Sequence, residues 1–381
     1  MSSAATDGAE VDVLVVGAGV VGLAVAATLS ETRSVAIVER RESYGLETSS
    51  HNSGVIHAGI YHPRDWLKTT LCIEGNRLLY AWAREHGVRT RRTGKLIVAA
   101  EEPGLPALQK LATSAAANGV PEVRLLDGRE LRRLEPAVHA MAAIYSGSSG
   151  VVDQMGLMRS YVNVARGNGA LIAFKHTLTG AERDQDRFVL RAGAPDDREI
   201  SLTAACLVNC AGLAADRVGE LLGYDPDGGP ASPPLRHTIN KGRYYDLVNR
   251  DKAKRYSHLV YPLPHADRAG LGVHLTLDID GGVHLGPDTE WLEDGAALDY
   301  RASDDRRAEF IEAVRPYLPD LDADDLAVGQ VGYRPKLHGP SEPPRDFLIW
   351  HDRGYVHLGG IESPGLTASL AIARHVAGLI P

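Results

Sequence analysis

The sequence predicts an α/β fold, α+β overall, in which a Rossmann-like nucleotide-binding domain carries an inserted antiparallel β-sheet domain. Three observations predict it. Residues Val11 to Arg40 read as a complete βαβ unit around Gly17-Ala18-Gly19-Val20-Val21-Gly22. Leu207 to Asp216 reads as another strand, a small-residue turn and a helix. Residues His237 to Leu285 alternate apolar and polar over short runs, as antiparallel strands do.

The first element, Val11 to Val16, has the length and β-branched content of a buried parallel strand. Gly17 then turns the chain tightly, and Gly19 has no Cβ to block a pyrophosphate. Gly22 lets the following helix, Val20 to about Ser30, lie close on the strand. Phosphates sit at that helix start, at Val20 and Val21, where bare amides and the helix dipole favour negative charge. The second strand, Val35 to Val38, ends in Glu39, where an acid accepts hydrogen bonds from ribose hydroxyls; Arg40 follows it. The motif indicates a dinucleotide and leaves NAD and FAD open.

The next stretch, Glu47 to Tyr61, is dense in hydroxyls, glycine and histidine. Such a segment can thread beside a cofactor, with Thr48, Ser49, Ser50, Asn52 and Ser53 as donors and glycines allowing close approach. Trp66 to Glu85 has helical spacing, with Leu67, Leu71, Leu78, Leu79 and Trp82 on one stripe. Thr93 to Ala100 reads as a strand, Leu105 to Asn118 as a helix ended by Gly119, and Asp127 to Leu134 as a short helix stopped before Pro136. Asp153 is placed to cap a helix from Gln154 to Gly167. A meander of Ala170 to His176, Phe188 to Ala192 and Glu199 to Thr203 follows. Glycine and proline between Tyr224 and Pro234 mark a domain crossing. Arg306 to Tyr317 reads as a helix, Gln330 to Lys336 as a strand, and Phe347 to Trp350 with Tyr355 to Leu358 as a hairpin. A last helix spans Leu366 to Gly378. The division expected is 11–90, 145–215 and 330–381 for the nucleotide domain, 91–144 and 216–329 for the inserted domain, and a flexible tail at 1–10.

Composition narrows the function. A net charge of -8 argues against nucleic acid as a partner. No run has the length of a transmembrane helix, which leaves only peripheral membrane contact open. The small, polar residues 1–10 lack a signal peptide's basic and apolar regions. Cys72, Cys206 and Cys210 form no CxxC or Cys/His cluster, which points to a reducing compartment, the cytoplasm by default, and to no metal site.

GAGVVG, the strand ending in Glu39, TSSHNSGVIHAGIY, VNCAG, GYRPK and GGIESPGLTASLAIA together resemble the D-amino-acid-oxidase-like superfamily of FAD oxidoreductases. Within it, HNSGVIHAGIYHP, INKGRYYDL, LGVHLTLDIDGGVHLGP and GYRPKLHGP resemble the L-2-hydroxyglutarate dehydrogenase/oxidase group. The resemblance spans nearly the whole chain and implies FAD as the cofactor. It implies an FAD domain built from three separated stretches and an antiparallel substrate sheet. Cofactor contacts carried over by it include Ala211 and Gly212 of VNCAG, and Gly359, Gly360, Gly365, Leu366 and Thr367 before and in the last helix. Glycines there leave backbone amides bare, at a helix start that in this family faces the flavin.

The activity implied is oxidation of L-2-hydroxyglutarate, or a related L-2-hydroxy acid, to 2-oxoglutarate by hydride transfer from Cα to flavin N5. An alcohol is far less acidic than an amine, so a positioned base helps greatly. His57, among small and apolar neighbours, and His274, on a strand face with Thr276, are the candidate bases. A dicarboxylate substrate also needs cations. Arg334 matches the superfamily position that holds the α-carboxylate, where arginine offers a bidentate fork. Lys241, Arg243 and Lys336 are candidates for the distal carboxylate, and Tyr61 and Tyr261 for hydroxyl donors. The electron acceptor expected is oxygen or a quinone. An amine or amino-acid oxidase of the glycine or sarcosine type is the alternative on the same fold.

Overall fold

A computed structural model of the chain describes residues 8–195, 198–264 and 272–381. It divides the chain into two compact units. The first comprises Met1–Ser50, Gln154–Ile239 and Arg334–Pro381; the second comprises His51–Asp153 and Asn240–Tyr333.

The sheet of the first unit runs in the order Thr177–Asp184, Arg187–Gly193, Glu199–Asn209, Ala9–Val16, Val35–Glu39, Leu171–Phe174. Tyr355–Gly359 pairs in parallel with the end of Glu199–Asn209, and Leu348–Asp352 pairs with Tyr355–Gly359. Ala9–Val16 is central and parallel to both neighbours, Leu14 lying opposite Leu207 and Ala36. Its last four residues, Val13 to Val16, are buried on both faces and form a continuous apolar run, whereas Asp12 before them is exposed. The helix Val20–Leu29 is apolar all round and packs on Gln154–Gly167 and Gly365–Ala377.

Three expectations change here. Ala9 and Glu10, expected in a flexible tail, pair with Leu202 and Thr203; the rest of that expectation, residues 1–7, lies outside the described residues. Leu171–Phe174 is not part of a meander but lies parallel to Val35–Glu39. Its place in the meander is taken by Thr177–Asp184, a partly exposed strand that carries Glu182, Arg183 and Asp184. Glu199–Asn209 is also one strand rather than two. The small residues Ala204, Ala205 and Cys206 link a half paired with Arg187–Gly193 to a half paired with Tyr355–Gly359.

The main sheet of the second unit runs Glu290–Trp291, Thr238–Leu247, Val283–Gly286, His274–Leu277, Leu259–Pro262, Lys95–Ala99, Ala142–Ser146, Val123–Asp127, with Leu326–Lys336 beside Thr238–Leu247. Leu105–Ala117 packs against it, and Phe310, Ile311 and Val314 of Arg307–Val314 join the same core. Asp127 closes a capping box with Glu130, which starts the short helix one residue later than expected. Strands Val123–Asp127 and Ala142–Ser146 were not anticipated; the first shows charge on its exposed face and both are five residues long.

The boundaries also differ from the expected ones. Residues 51–90 fall in the second unit, because Val55, Ala58 and Ile60 are buried in its core with Leu96 and Ile97. The switch back falls after Asp153 rather than at 145, the next near 240 rather than 216, and the last near 334 rather than 330. The resembling string that includes Leu271 begins outside the described residues. Among the described residues, no helix is long and apolar enough to cross a membrane.

Candidate active site

A candidate nucleotide cradle lies in the first unit. Gly17 has a φ of +100°, and a Cβ there would meet Cys210 O at 2.5 Å. A Cβ on Gly22 would meet Gly17 O at 2.1 Å, so helix and turn can approach only through glycine. Gly19 is different: its Cβ would meet only Ser49 Oγ, at 3.0 Å, and would otherwise project into the concavity. Ser49 Oγ accepts from Val20 N–H at 2.9 Å, which ties the hydroxyl-rich segment to the helix start. Glu39 accepts from Ala18 N–H at 2.8 Å and from Arg41 N–H at 2.7 Å. A carboxylate has about four acceptor sites, so ribose hydroxyls can still be taken.

Gly17, Gly19, Glu39, Arg40, Thr48 and Ser49 line one concavity, completed by Ala211 and Gly212. Val20, Val21 and Gly22 stand behind it in the helix. The sequence did not reveal that Arg41, His176 and Arg217 also line it. Arg40 and Arg41 both donate to Glu47, which places them at the rim as a paired cluster. Ser50 Oγ donates to Glu47 O, and in the second unit Asn52 Oδ1 accepts from Gly54 N–H at 2.9 Å next to Ser53. A glycine floor, a helix N-terminus and an acid at the adjoining strand end fit an adenine dinucleotide such as FAD.

Gly359 and Gly360 rest on a buried polar network of the first unit. Gly360 N–H donates to His237 Nε2 at 3.0 Å, so this amide is engaged within the protein. A Cβ on Gly359 would meet His357 Nε2 at 2.9 Å, and one on Gly360 would meet Leu337 Cδ1 at 2.6 Å. Asn209 Nδ2 donates to Tyr355 Oη at 2.8 Å, and Tyr355 lies 3.0 Å from His357 Nδ1. Burial lowers His357 to about 3 and also lowers His237, so both rings are neutral. Gly365, Leu366 and Thr367 open the last helix, Gly365–Ala377, with Thr367 fully buried.

The second unit brings His57, Tyr61, Tyr261 and His274 together, around a residue the sequence reading passed over. Lys95 is only 1% exposed, although lysine is almost never buried without a partner. Register explains the cluster. Lys95 lies opposite Leu259, so Tyr261 two residues on shares its face. Val260 pairs with Leu275, which sets Tyr261 opposite His274, and these two rings stack with centroids 3.7 Å apart. Lys95 Nζ lies 4.4 Å from the Tyr261 ring centroid, 5.0 Å from that of Tyr61 and 3.5 Å from His57 Nδ1. Among the described residues, no carboxylate pairs with it.

Burial pulls Lys95 down to about 8, the two aromatic faces compensating only in part. Burial, then Lys95 and His274, hold His57 well below the usual histidine range. The phenols of Tyr61 and Tyr261 are driven up by burial, and among the described residues their hydroxyls have no hydrogen-bond partner. Asn76 Nδ2 donates to His57 O at 2.8 Å and to Ser148 O at 3.0 Å, fixing the backbone that carries the imidazole. His57 and His274 are half-buried.

The predicted cations separate. Arg243 is committed to Asp288, at 2.7 Å, and to Glu290, while Arg306 also donates to Asp288 at 2.8 Å. Lys336 is paired with Glu362 at 2.5 Å. Both are therefore ion-paired within the chain. Lys241 is half-buried opposite Glu290, and Arg334 is half-buried near the end of Leu326–Lys336. Among the described residues, no group of three or more His, Cys, Asp and Glu could hold a metal ion.

Comparison with known proteins agrees with the cradle. Residues 12–379 match the DAO family, described as FAD dependent oxidoreductase. The mitochondrial L-2-hydroxyglutarate dehydrogenase of Arabidopsis thaliana is 37% identical over 96% of this chain and 83% of that protein. The protein of the same name from Homo sapiens is 29% identical over 96% of this chain and 88% of its own. Among solved structures, the L-alpha-glycerophosphate oxidase of Mycoplasma pneumoniae, dithionite-reduced and with FAD bound, has a TM-score of 0.85 at 26% identity, covering 97% of this chain and 94% of that one. Glycine oxidase of Geobacillus kaustophilus shares the fold, with a TM-score of 0.79 at 20% identity over 97% and 94% of the two chains. A glycine turn, an acid at the adjoining strand end and a family match over residues 12–379 have one meaning: this chain belongs to the DAO family of FAD-dependent oxidoreductases.

Proposed function

We propose that the protein oxidises L-2-hydroxyglutarate, or a closely related L-2-hydroxy acid, to the 2-oxo acid. The observation that carries this reading is the 37% identity, over 96% of the chain, to a protein named L-2-hydroxyglutarate dehydrogenase. The glycine oxidase likeness shows the fold alone, and supplies no support for the amine-oxidase alternative.

FAD, when bound, supplies the acceptor for the hydride leaving Cα. The residues of the chain would supply the rest. His57, neutral and partly accessible, takes the hydroxyl proton, which only an unprotonated imidazole can do. His274, stacked on Tyr261, orients the hydroxyl. Arg334 holds the α-carboxylate, and Lys241 is the better remaining cation for the distal one, because Arg243 and Lys336 are already paired. Oxygen or a quinone reoxidises the enzyme. Three buried free cysteines suit a reducing compartment such as the cytoplasm.

Anaerobic titration of the purified yellow protein tests this reading. L-2-hydroxyglutarate bleaches the flavin stoichiometrically, whereas glycine, sarcosine and proline leave it oxidised. Bleaching by the amines and not by the hydroxy acid would overturn it.

A further inference from the structure

We propose that Lys95 and His57 act as one proton acceptor, Lys95 being the positioning residue: its neutral amine accepts Nδ1–H of His57, which bares Nε2 for the substrate proton. The inference rests on the reading of His57 as the base, and deepens it.

The argument starts from what each nitrogen can do. An ammonium only donates, and a neutral imidazole has one donor and one acceptor nitrogen. With Lys95 protonated 3.5 Å from Nδ1, that nitrogen must accept. The ring proton then sits on Nε2, and the imidazole has no lone pair left for the substrate. An imidazolium beside an ammonium is disfavoured by like charge. The base form of His57 therefore exists only while Lys95 is neutral.

The surroundings favour that neutral state. Facing Lys95 are the phenols of Tyr61 and Tyr261 and the thiol of Cys72, all kept protonated by burial. His62 and His274 act on His57, and Tyr244 acts on Tyr261. None of these groups is an anion that would hold the ammonium. Lys95 therefore gives up its proton near pH 8 rather than above 10. It still holds a proton more tightly than His57, so the pair has a downhill direction.

In the step, the substrate O–H bond breaks and Nε2–H forms, while Nδ1–H breaks and Nζ–H forms. The hydride departs from Cα with its electron pair to the family's cofactor. His57 ends neutral in its other tautomer, and Lys95 ends as the ammonium.

The test is stopped-flow reduction of the FAD-loaded enzyme by L-2-hydroxyglutarate across pH, with flavin content and melting checked for each variant. The wild-type rate should rise with pH through an acidic limb centred near 8. Lys95→Arg keeps a permanent donor on Nδ1, so its rate should fall by about 10²–10⁴-fold at every pH. Lys95→Met removes the relay and should move the limb down by more than about one unit, towards the histidine range. A Lys95→Arg rate within about threefold of wild type, or an unmoved limb in Lys95→Met, overturns the proposal. If neither variant loads FAD, the wild-type limb decides: near 8 supports the pair, and near the ordinary histidine value of about 6.5 overturns it. His57→Ala separates the two readings. A slow His57→Ala with normal Lys95 variants removes the pairing alone, whereas a wild-type rate in His57→Ala removes the base itself.

Discussion

A buried ammonium without a carboxylate is a cost to folding, and Lys95 should show it. Below pH 8 the lysine is protonated in both folded and unfolded chains, so the full desolvation penalty is present. Between about 8 and the unfolded value of about 10.4, the unfolded chain binds more protons and wild-type stability rises with pH. Lys95→Met, similar in length and uncharged, should therefore melt higher than wild type at pH 7, by a few kcal/mol at about 1.4 kcal/mol per pKa unit. The gain should narrow as pH is raised past 8. Thermal unfolding at two pH values checks it, and a lower melting point for Lys95→Met at pH 7 would sink the idea. Stability gained while activity is lost is the trade expected at a functional site. This residue was not legible in the sequence, where a lysine opening an apolar run reads as a strand flank. The pairing of Arg243 was hidden for a related reason: Asp288, its buried partner, is 45 residues away along the chain.

Legibility was better wherever the element was local. The helix and second strand of the βαβ unit, the long helix Leu67–Glu85 and the last helix Gly365–Ala377 lie within a residue of their expected bounds, and the first strand begins two residues early, because periodicity, glycines and caps encode these elements directly. Pairing was not legible. Leu171–Phe174 and Thr177–Asp184 differ in which neighbour they join, and a strand's own residues do not name its neighbour. The glycine turn permits a sharp prediction. Gly22→Ala places a methyl 2.1 Å from Gly17 O and must separate helix from turn, so it should lower apoprotein stability and abolish flavin retention together. Gly19→Ala meets only the Ser49 hydroxyl and should melt near wild type as apoprotein while still losing FAD, because its methyl occupies the phosphate approach. Flavin absorbance and apoprotein melting separate the two effects. Equal melting losses in both variants would show that Gly19 is structural.

At the scale of the molecule, the first unit is assembled from three stretches that the second unit's sequence interrupts. The concavity proposed for the cofactor is lined from two of them, by residues between Val16 and Ser49 and between His176 and Leu221. A ligand gripping both stretches binds the folded chain and not the unfolded one, which stabilises it by about 2.7 kcal/mol at a hundred times Kd. The unfolding midpoint should therefore rise with added FAD. Acid or heat should also release the flavin intact into the supernatant, since nothing in the reading requires a covalent link. Glu39→Ala sharpens the test. Its carboxylate serves the amides of Ala18 and Arg41, so its loss should lower the apoprotein midpoint modestly, by about 1–3 kcal/mol for two abandoned donors. If Glu39 also holds the ribose, the gap between apo and FAD-loaded midpoints should shrink as well, and more FAD should be needed to reach half the shift. An unchanged gap would confine Glu39 to closing the turn, and a midpoint indifferent to FAD would remove the cofactor from the folding of this unit altogether.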